Sequence, residues 1–204
     1  MRPGSAIPQG VRIGRDPFGG ATFTLANRLQ RALWQLTCRL LFWPSPIPLH
    51  GWRCWLLRRF GARIADGCAV YPDVRIWAPW NLEMASKACL GPGVRCYNMA
   101  PVSLGRRALV SQHSHLCTGS HDYTAETFDL TAAPITIGDD AWLCAEAFVA
   151  PGLTIGAGTV VGARAVVTRS LPAWTVCAGN PCRPIKSRRS QTDGHTPWLG
   201  GVGP

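Results

Sequence analysis

A chain of 204 residues with 47 % apolar and 16 % charged side chains can bury a core and is too apolar for a disordered charged tail. Its 22 Gly and 17 Pro show no three-residue period, which excludes a collagen-like chain, and no run of about 18 apolar residues marks a membrane span. The net charge of +10 falls mainly on residues 1–63, with ten Arg against Asp16 alone, while residues 64–181 balance at −2, which excludes a uniform nucleic-acid-binding surface.

The segment from Met1 carries Pro3, Gly4, Pro8 and Gly10 with no apolar stretch behind them. It does not read as a signal peptide, so a cytoplasmic protein is expected. From Thr22 to Trp43 the apolar residues Leu25, Leu29, Ala32, Leu36, Leu40 and Trp43 recur at steps of three and four. That spacing predicts an amphipathic helix, with Arg28, Arg31, Gln35 and Arg39 among its polar positions. Pro44, Pro46 and Pro48 end it, because each lacks a backbone donor. A second basic and aromatic stretch, Trp52 to Phe60, reads as one more helix or an interfacial segment. Residues 1–63 are therefore expected as a basic arm.

After residue 63 a period of six replaces the helical one. Ile64, Val70, Ile76, Leu82, Ala88 and Val94 form one run, Leu104, Val110 and Leu116 a second, and Ile137, Leu143, Val149, Ile155, Val161 and Val167 a third. A hexad is a short strand and a turn whose aliphatic residue points inward. Three hexads close a triangular coil, and successive coils pair about 4.8 Å apart. Small residues beside the aliphatic ones, such as Gly138, Gly156 and Gly162, let the corner bend. The expected fold is all-β: a left-handed parallel β-helix of hexapeptide repeats over residues 64–188, with the α-helical arm before it and a flexible tail over 189–204. The nine cysteines, an odd count without CxxC spacing, read as free thiols that act as small apolar fillers.

The breaks in phase mark the site. Val94 predicts an aliphatic residue at 100 but the run restarts at Leu104, and Leu116 predicts one at 122 but the run restarts at Ile137. The fifteen extra residues of the second break must leave the coil as a loop, and long excursions from a regular scaffold carry function. Discounting the first insertion, Asn98 and His121 stand about one coil apart, so an amide and an imidazole are expected on one edge beside the loop. A neutral imidazole is the usual acceptor of a hydroxyl proton near pH 7. His113 and His115 have the spacing of one strand face but lack a third ligand, so no metal is expected.

The hexad array, Thr118-Gly119-Ser120-His121-Asp122-Tyr123 and the closing Ala178-Gly179-Asn180-Pro181-Cys182-Arg183-Pro184-Ile185 resemble the hexapeptide-repeat O-acetyltransferases. Thr24-Leu25-Ala26-Asn27-Arg28-Leu29, Pro44-Ser45-Pro46 and Leu49-His50-Gly51-Trp52 resemble the arm of the colanic acid biosynthesis type, related to the maltose and galactoside acetyltransferases. The resemblance implies acetyl-CoA as cosubstrate and His121 as general base, with Asn98 touching the acceptor or the histidine. It also implies a homotrimer with the active site at the subunit interface. Backbone near Ala145 and Ala163, with Trp142, Arg169 and Arg183, would line the cosubstrate groove. The expected acceptor is a sugar hydroxyl of an exopolysaccharide or lipid-linked glycan, with another small sugar or an antibiotic-like molecule as the alternative.

Two rivals use the same fold. A gamma-type carbonic anhydrase needs three histidines around zinc, but after His121 the next histidine is His195, outside the hexads. A non-catalytic scaffold has no use for Asn98 and His121 meeting beside a loop. The basic arm leaves two expectations: a cap on the open end of the β-helix, or peripheral contact with the inner face of a membrane.

Overall fold

The computed structural model describes residues 23–188. The arm opens with α1 (Leu25–Thr37), capped by Thr24, whose hydroxyl accepts the Asn27 N–H at 3.3 Å. A π-helical turn, Cys38–Phe42, extends it as far as the proline run. α2 (His50–Arg59) follows, so the second basic and aromatic stretch is a helix. The remaining arm residues, 1–22, and the tail expected over 189–204, with its His195, lie outside the described residues.

From Arg63 the chain winds into a parallel β-solenoid with three faces. The first stacks residues 63–64, 82–84, 102–104, 135–137 and 154–155. The second stacks 69–70, 89–90, 109–110, 142–143, 160–161 and 175–178, and the third 75–76, 95–97, 115–117, 148–149 and 166–167. Arg183–Ser187 then folds back antiparallel on Thr175–Ala178. All fifteen hexad aliphatics are buried, none more than 8 % exposed, so the period did identify the inward positions. A Cβ on Gly138 would meet the Ala157 nitrogen at 2.6 Å, which is why a small residue follows the aliphatic one at that corner.

The phase of the first run departs from expectation after Ile76. The ladder sets Ile64 beside Met84, Val70 beside Leu90 and Ile76 beside Cys96, and then Met84 beside Leu104. Leu82, Ala88 and Val94 are buried, but each lies two places before the residue that stacks on Ile64, Val70 or Ile76. Residues two apart on a strand share a face, so a slip of two keeps an apolar run inside. The four extra residues are therefore split into two short excursions, one around Pro79–Asn81 and one around residues 98–101.

The arm and the solenoid share one core, in which Trp34, Cys38, Phe42, Cys54 and Leu57 pack with Ile64 and Val70. The Trp34 indole donates to the Ile76 carbonyl at 2.8 Å. Arg53 is wholly buried; its Nε donates to the Val70 carbonyl at 2.6 Å and its Nη1 to the Pro46 carbonyl at 2.8 Å. The arm thus covers the first coil, whose sheet edges would otherwise be open. The covering face is not the expected stripe. Trp34, Cys38 and Phe42 are at most 5 % exposed, whereas Leu25, Leu29, Leu36 and Leu40 on the opposite side are 53–66 % exposed. Both sets have helical spacing, and the solenoid takes the face that brings an indole donor to its carbonyl.

All nine cysteines are free. Burial pushes the Cys38 and Cys96 thiols up to about 12 and those of Cys54 and Cys182 up to about 11, so these four are neutral apolar fillers. No helix among the described residues is long and apolar enough to cross a membrane.

Candidate active site

The three edges of the solenoid are not equivalent. From the first face to the second, and from the second to the third, each step between ladder residues keeps the hexad length. Departures gather where the third face returns to the first. The turn at Pro79–Asn81, the turn at residues 98–101 and the long excursion after Cys117 all lie on that edge.

That excursion is a hairpin. Gly119–His121 pairs antiparallel with Leu130–Ala132, placing His121 opposite Leu130. Asp122 turns the tip: its Oδ1 accepts the Thr124 N–H at 2.9 Å and the Thr124 hydroxyl at 2.6 Å, which holds its carboxyl below the usual range. The Asp122 N–H donates to the Asp129 carbonyl at 2.8 Å and closes the loop. At the root, the buried Thr118 hydroxyl accepts the Ala100 N–H at 3.0 Å and donates to the Tyr97 carbonyl at 2.9 Å. A hairpin tied at both ends places its histidine without help from the core.

His121 is exposed, and its Nδ1 lies 2.7 Å from the Phe128 carbonyl oxygen. A carbonyl only accepts, so Nδ1 carries a proton, and in the neutral imidazole the lone pair is on Nε2. Phe128 sits at φ 46°, a left-handed conformation unusual for a bulky residue and of the kind that gathers at functional sites. The role of Phe128 was not foreseen, nor was that of Thr118, which the sequence marked only as part of the segment around His121. A backbone carbonyl seven residues on leaves no mark in a periodicity; the length of the loop and the segment around His121 pointed only to the region.

Asn98 lies on the same edge, in line with Thr118, because Tyr97 is paired with Cys117. Its side chain is fully buried. Oδ1 accepts the Ala78 N–H at 3.0 Å and Nδ2 donates to the Ala78 carbonyl at 2.6 Å. The amide is thus spent on the preceding coil, and the expected meeting of amide and imidazole is not formed within the chain. Its partner group comes from the two-residue excursion that the period had misplaced.

The expected cosubstrate residues stand elsewhere. Ala145 and Ala163 occupy successive turns between the second and third faces, joined by the Arg164 N–H donating to the Ala145 carbonyl at 2.9 Å. Among the described residues, no acceptor is found for the N–H of either alanine. Trp142 is exposed on the second face and its indole donates to Ser111 Oγ at 2.9 Å. Arg169 is exposed on the edge that carries the hairpin, and Arg183 is exposed on the returning strand, donating to the Cys182 carbonyl at 3.0 Å. One chain therefore brings Arg169 to the His121 edge but leaves Ala145 and Ala163 on another. His115 packs edge-on to Phe148 at 5.4 Å, and burial, with Arg95 nearby, lowers its pKa. Among the described residues no group of three His, Cys, Asp or Glu is placed to hold a metal ion.

A hexad solenoid with an oriented imidazole on an extruded hairpin is the build of a hexapeptide-type acyl transferase. Residues 134–169 match the bacterial transferase hexapeptide (six repeats) family. The chain is 42 % identical over 185 residues to WcaF of Escherichia coli (strain K12), named as an acetyltransferase of colanic acid biosynthesis, covering 91 % of this chain and 95 % of that protein. Its fold is that of a maltose O-acetyltransferase from Clostridium difficile 630, with TM-score 0.74 and 24 % identity over 82 % of this chain and 90 % of that one. A hexapeptide-repeat acetyltransferase from Vibrio cholerae, solved with acetyl coenzyme A, gives TM-score 0.69 and 25 % identity over 81 % and 88 %. The chain belongs to the hexapeptide-repeat acetyltransferases, and within them it groups with the colanic acid biosynthesis type.

Proposed function

We propose that the protein transfers the acetyl group of acetyl-CoA to a hydroxyl of a sugar destined for an exopolysaccharide of the colanic acid kind, using a lipid-linked glycan at the inner face of the membrane. The observation that carries this reading is the exposed His121 with its Nδ1 proton held by Phe128. Nε2 of His121 takes the proton of the acceptor hydroxyl, whose oxygen forms the new ester bond as the carbon–sulfur bond breaks. The imidazolium then returns that proton to the departing thiolate, so no residue of the chain is acylated. The acetyl-CoA complex of the Vibrio cholerae relative supports the donor.

The groove for the donor is proposed to include Trp142, Ala145, Ala163, Arg169 and Arg183. The free N–H groups of Ala145 and Ala163, one coil apart, suit an amide-rich pantetheine arm, and the two arginines suit the phosphates of the CoA nucleotide. Because His121 and the alanines occupy different edges, a complete site needs the hairpin of one copy against the edge of another. A homotrimer supplies that arrangement three times. Release of CoA thiol, followed with a panel of soluble sugars and glycolipids, tests the reading alongside light scattering of the active species. Thiol release with a sugar acceptor by a trimer is expected. No acceptor-dependent release by a protein that is folded and trimeric would overturn it.

A further inference from the structure

Among the described residues, eleven of the eighteen large apolar side chains that remain exposed lie between Leu25 and Trp55. They are not scattered. Leu25, Leu29 and Leu36 of α1, with Leu40 of the π-helical turn that extends it, line the side that points away from Trp34, Cys38 and Phe42, so the helix is docked on one face and bare on the other. Trp43, Trp52 and Trp55 continue the bare surface at 38–47 % exposure. Trp52 stacks on Trp55 at 5.1 Å, the Arg59 guanidinium lies 5.6 Å over the Trp55 ring, and the Trp52 indole donates to the Leu41 carbonyl at 3.0 Å. A contiguous apolar surface of this kind marks an interaction site.

The charge around it selects the occupant. Residues 17–65 contain seven arginines and no acidic side chain. Arg28 and Arg39 are exposed and flank the leucine stripe on the helix. A second copy meeting this face about a two-fold axis would set arginine against arginine with no carboxylate between them. An anionic bilayer accepts both features, because leucines enter the acyl boundary, tryptophans sit at the headgroup level and arginines meet the headgroups.

The same helix is tied to the catalytic edge. Arg31 lies 4.5 Å over the Trp77 ring, Phe23 is 5.3 Å from Trp77, and Trp77 is 6.0 Å from Tyr97. Tyr97 and Met99 underlie the hairpin root so closely that a Cβ on Gly119 would meet the Met99 sulfur at 2.5 Å and Tyr97 Cε1 at 2.9 Å. The coil bearing the hairpin is two steps, about 10 Å, along the axis from the first coil. We propose that the outward face of α1, with Trp43, Trp52 and Trp55, docks on an anionic membrane surface and holds the His121 edge beside it. Docking itself is independent of the chemistry; its use in reaching a lipid-linked acceptor rests on the transferase reading above.

The test floats full-length protein with vesicles of phosphatidylcholine, with and without phosphatidylglycerol, at low and high salt. Wild type is expected to float with the anionic vesicles and to be released by salt. The double variant Leu29→Glu/Leu36→Glu, altered only at exposed positions, is expected to lose at least about tenfold in bound fraction. Its circular dichroism, oligomeric mass and CoA release with a water-soluble acceptor are expected to stay those of wild type. Wild type that stays below the anionic vesicles at low salt overturns the proposal, as does a variant that floats equally well. A variant that changes oligomeric mass overturns it in favour of a second copy on this face. Protein that floats but releases no CoA defeats the transferase reading and leaves docking standing, and protein that releases CoA without floating does the reverse.

Discussion

The edge with Ala145 and Ala163 and the edge with His121 are made from the same hexads, yet only one departs from them. On the first, each turn keeps its length, left-handed corners fall at His113, Glu146 and Arg164, and Arg164 pairs with Glu146 at 2.8 Å. On the second, the chain leaves the repeat around Pro79, at residues 98–101 and in the His121 hairpin. The regular edge presents the N–H groups of Ala145 and Ala163 at a coil's spacing, beside the Arg164–Glu146 pair. The irregular edge frees side chains from the ladder, and there the imidazole reaches solvent. Spacing is set where the repeat holds, and the exposed imidazole is placed where it fails.

Breaking the irregular edge should have the largest effect. His121→Ala is expected to lower turnover about 10²–10⁴-fold while acetyl-CoA binding and melting temperature stay close to wild type. More than half the wild-type rate in that variant would remove His121 from the chemistry.

Asn98→Ala separates a structural from a catalytic role on the same edge. It leaves the buried Ala78 N–H without a partner, at about 1–3 kcal/mol, while the Ala78 carbonyl keeps the Asn81 N–H at 3.0 Å. A lower denaturation midpoint with near-normal turnover of the folded fraction is expected. An unchanged midpoint with lost turnover would instead give the amide the acceptor-contacting role implied by resemblance.

His115 tests the strand that feeds the hairpin. Its folded pKa is lowered, so below the ordinary histidine value of 6.5 the unfolded chain takes up a proton that the folded one refuses. Stability from this residue is present above that value and declines as pH falls through it. His115→Gln should flatten the melting temperature between about pH 7 and 5 relative to wild type. Identical slopes would show that another group governs the acid side.

The smallest effect belongs to the regular edge. Arg164 and Glu146 are 79 % and 47 % exposed at their side chains, so Arg164→Ala should leave the urea unfolding midpoint close to that of wild type. A clearly lowered midpoint would mean that the ion pair, and not the ladder beneath it, sets the coil spacing.

The solenoid was legible because its rule is local. An aliphatic residue every six positions buries itself whatever lies far away, as Ile137 to Val167 do. The hairpin was legible as well, since the gap after Leu116 could not be wound into a coil. The phase of Leu82, Ala88 and Val94 was not, because two inward positions per hexad make a slip of two invisible to the pattern.

By itself, then, the sequence determined the repeat, the three-faced winding it implies, the place where the chain leaves it and the histidine that leaves with it. Tertiary structure decided which atoms those residues meet. It turned the Asn98 amide toward Ala78, aimed His121 Nδ1 at Phe128 and split α1 between a buried tryptophan face and a bare leucine face. Periodicity records which residues share a side of an element. Whether that side meets a coil, a carbonyl or solvent depends on groups distant in sequence, and no local pattern encodes them.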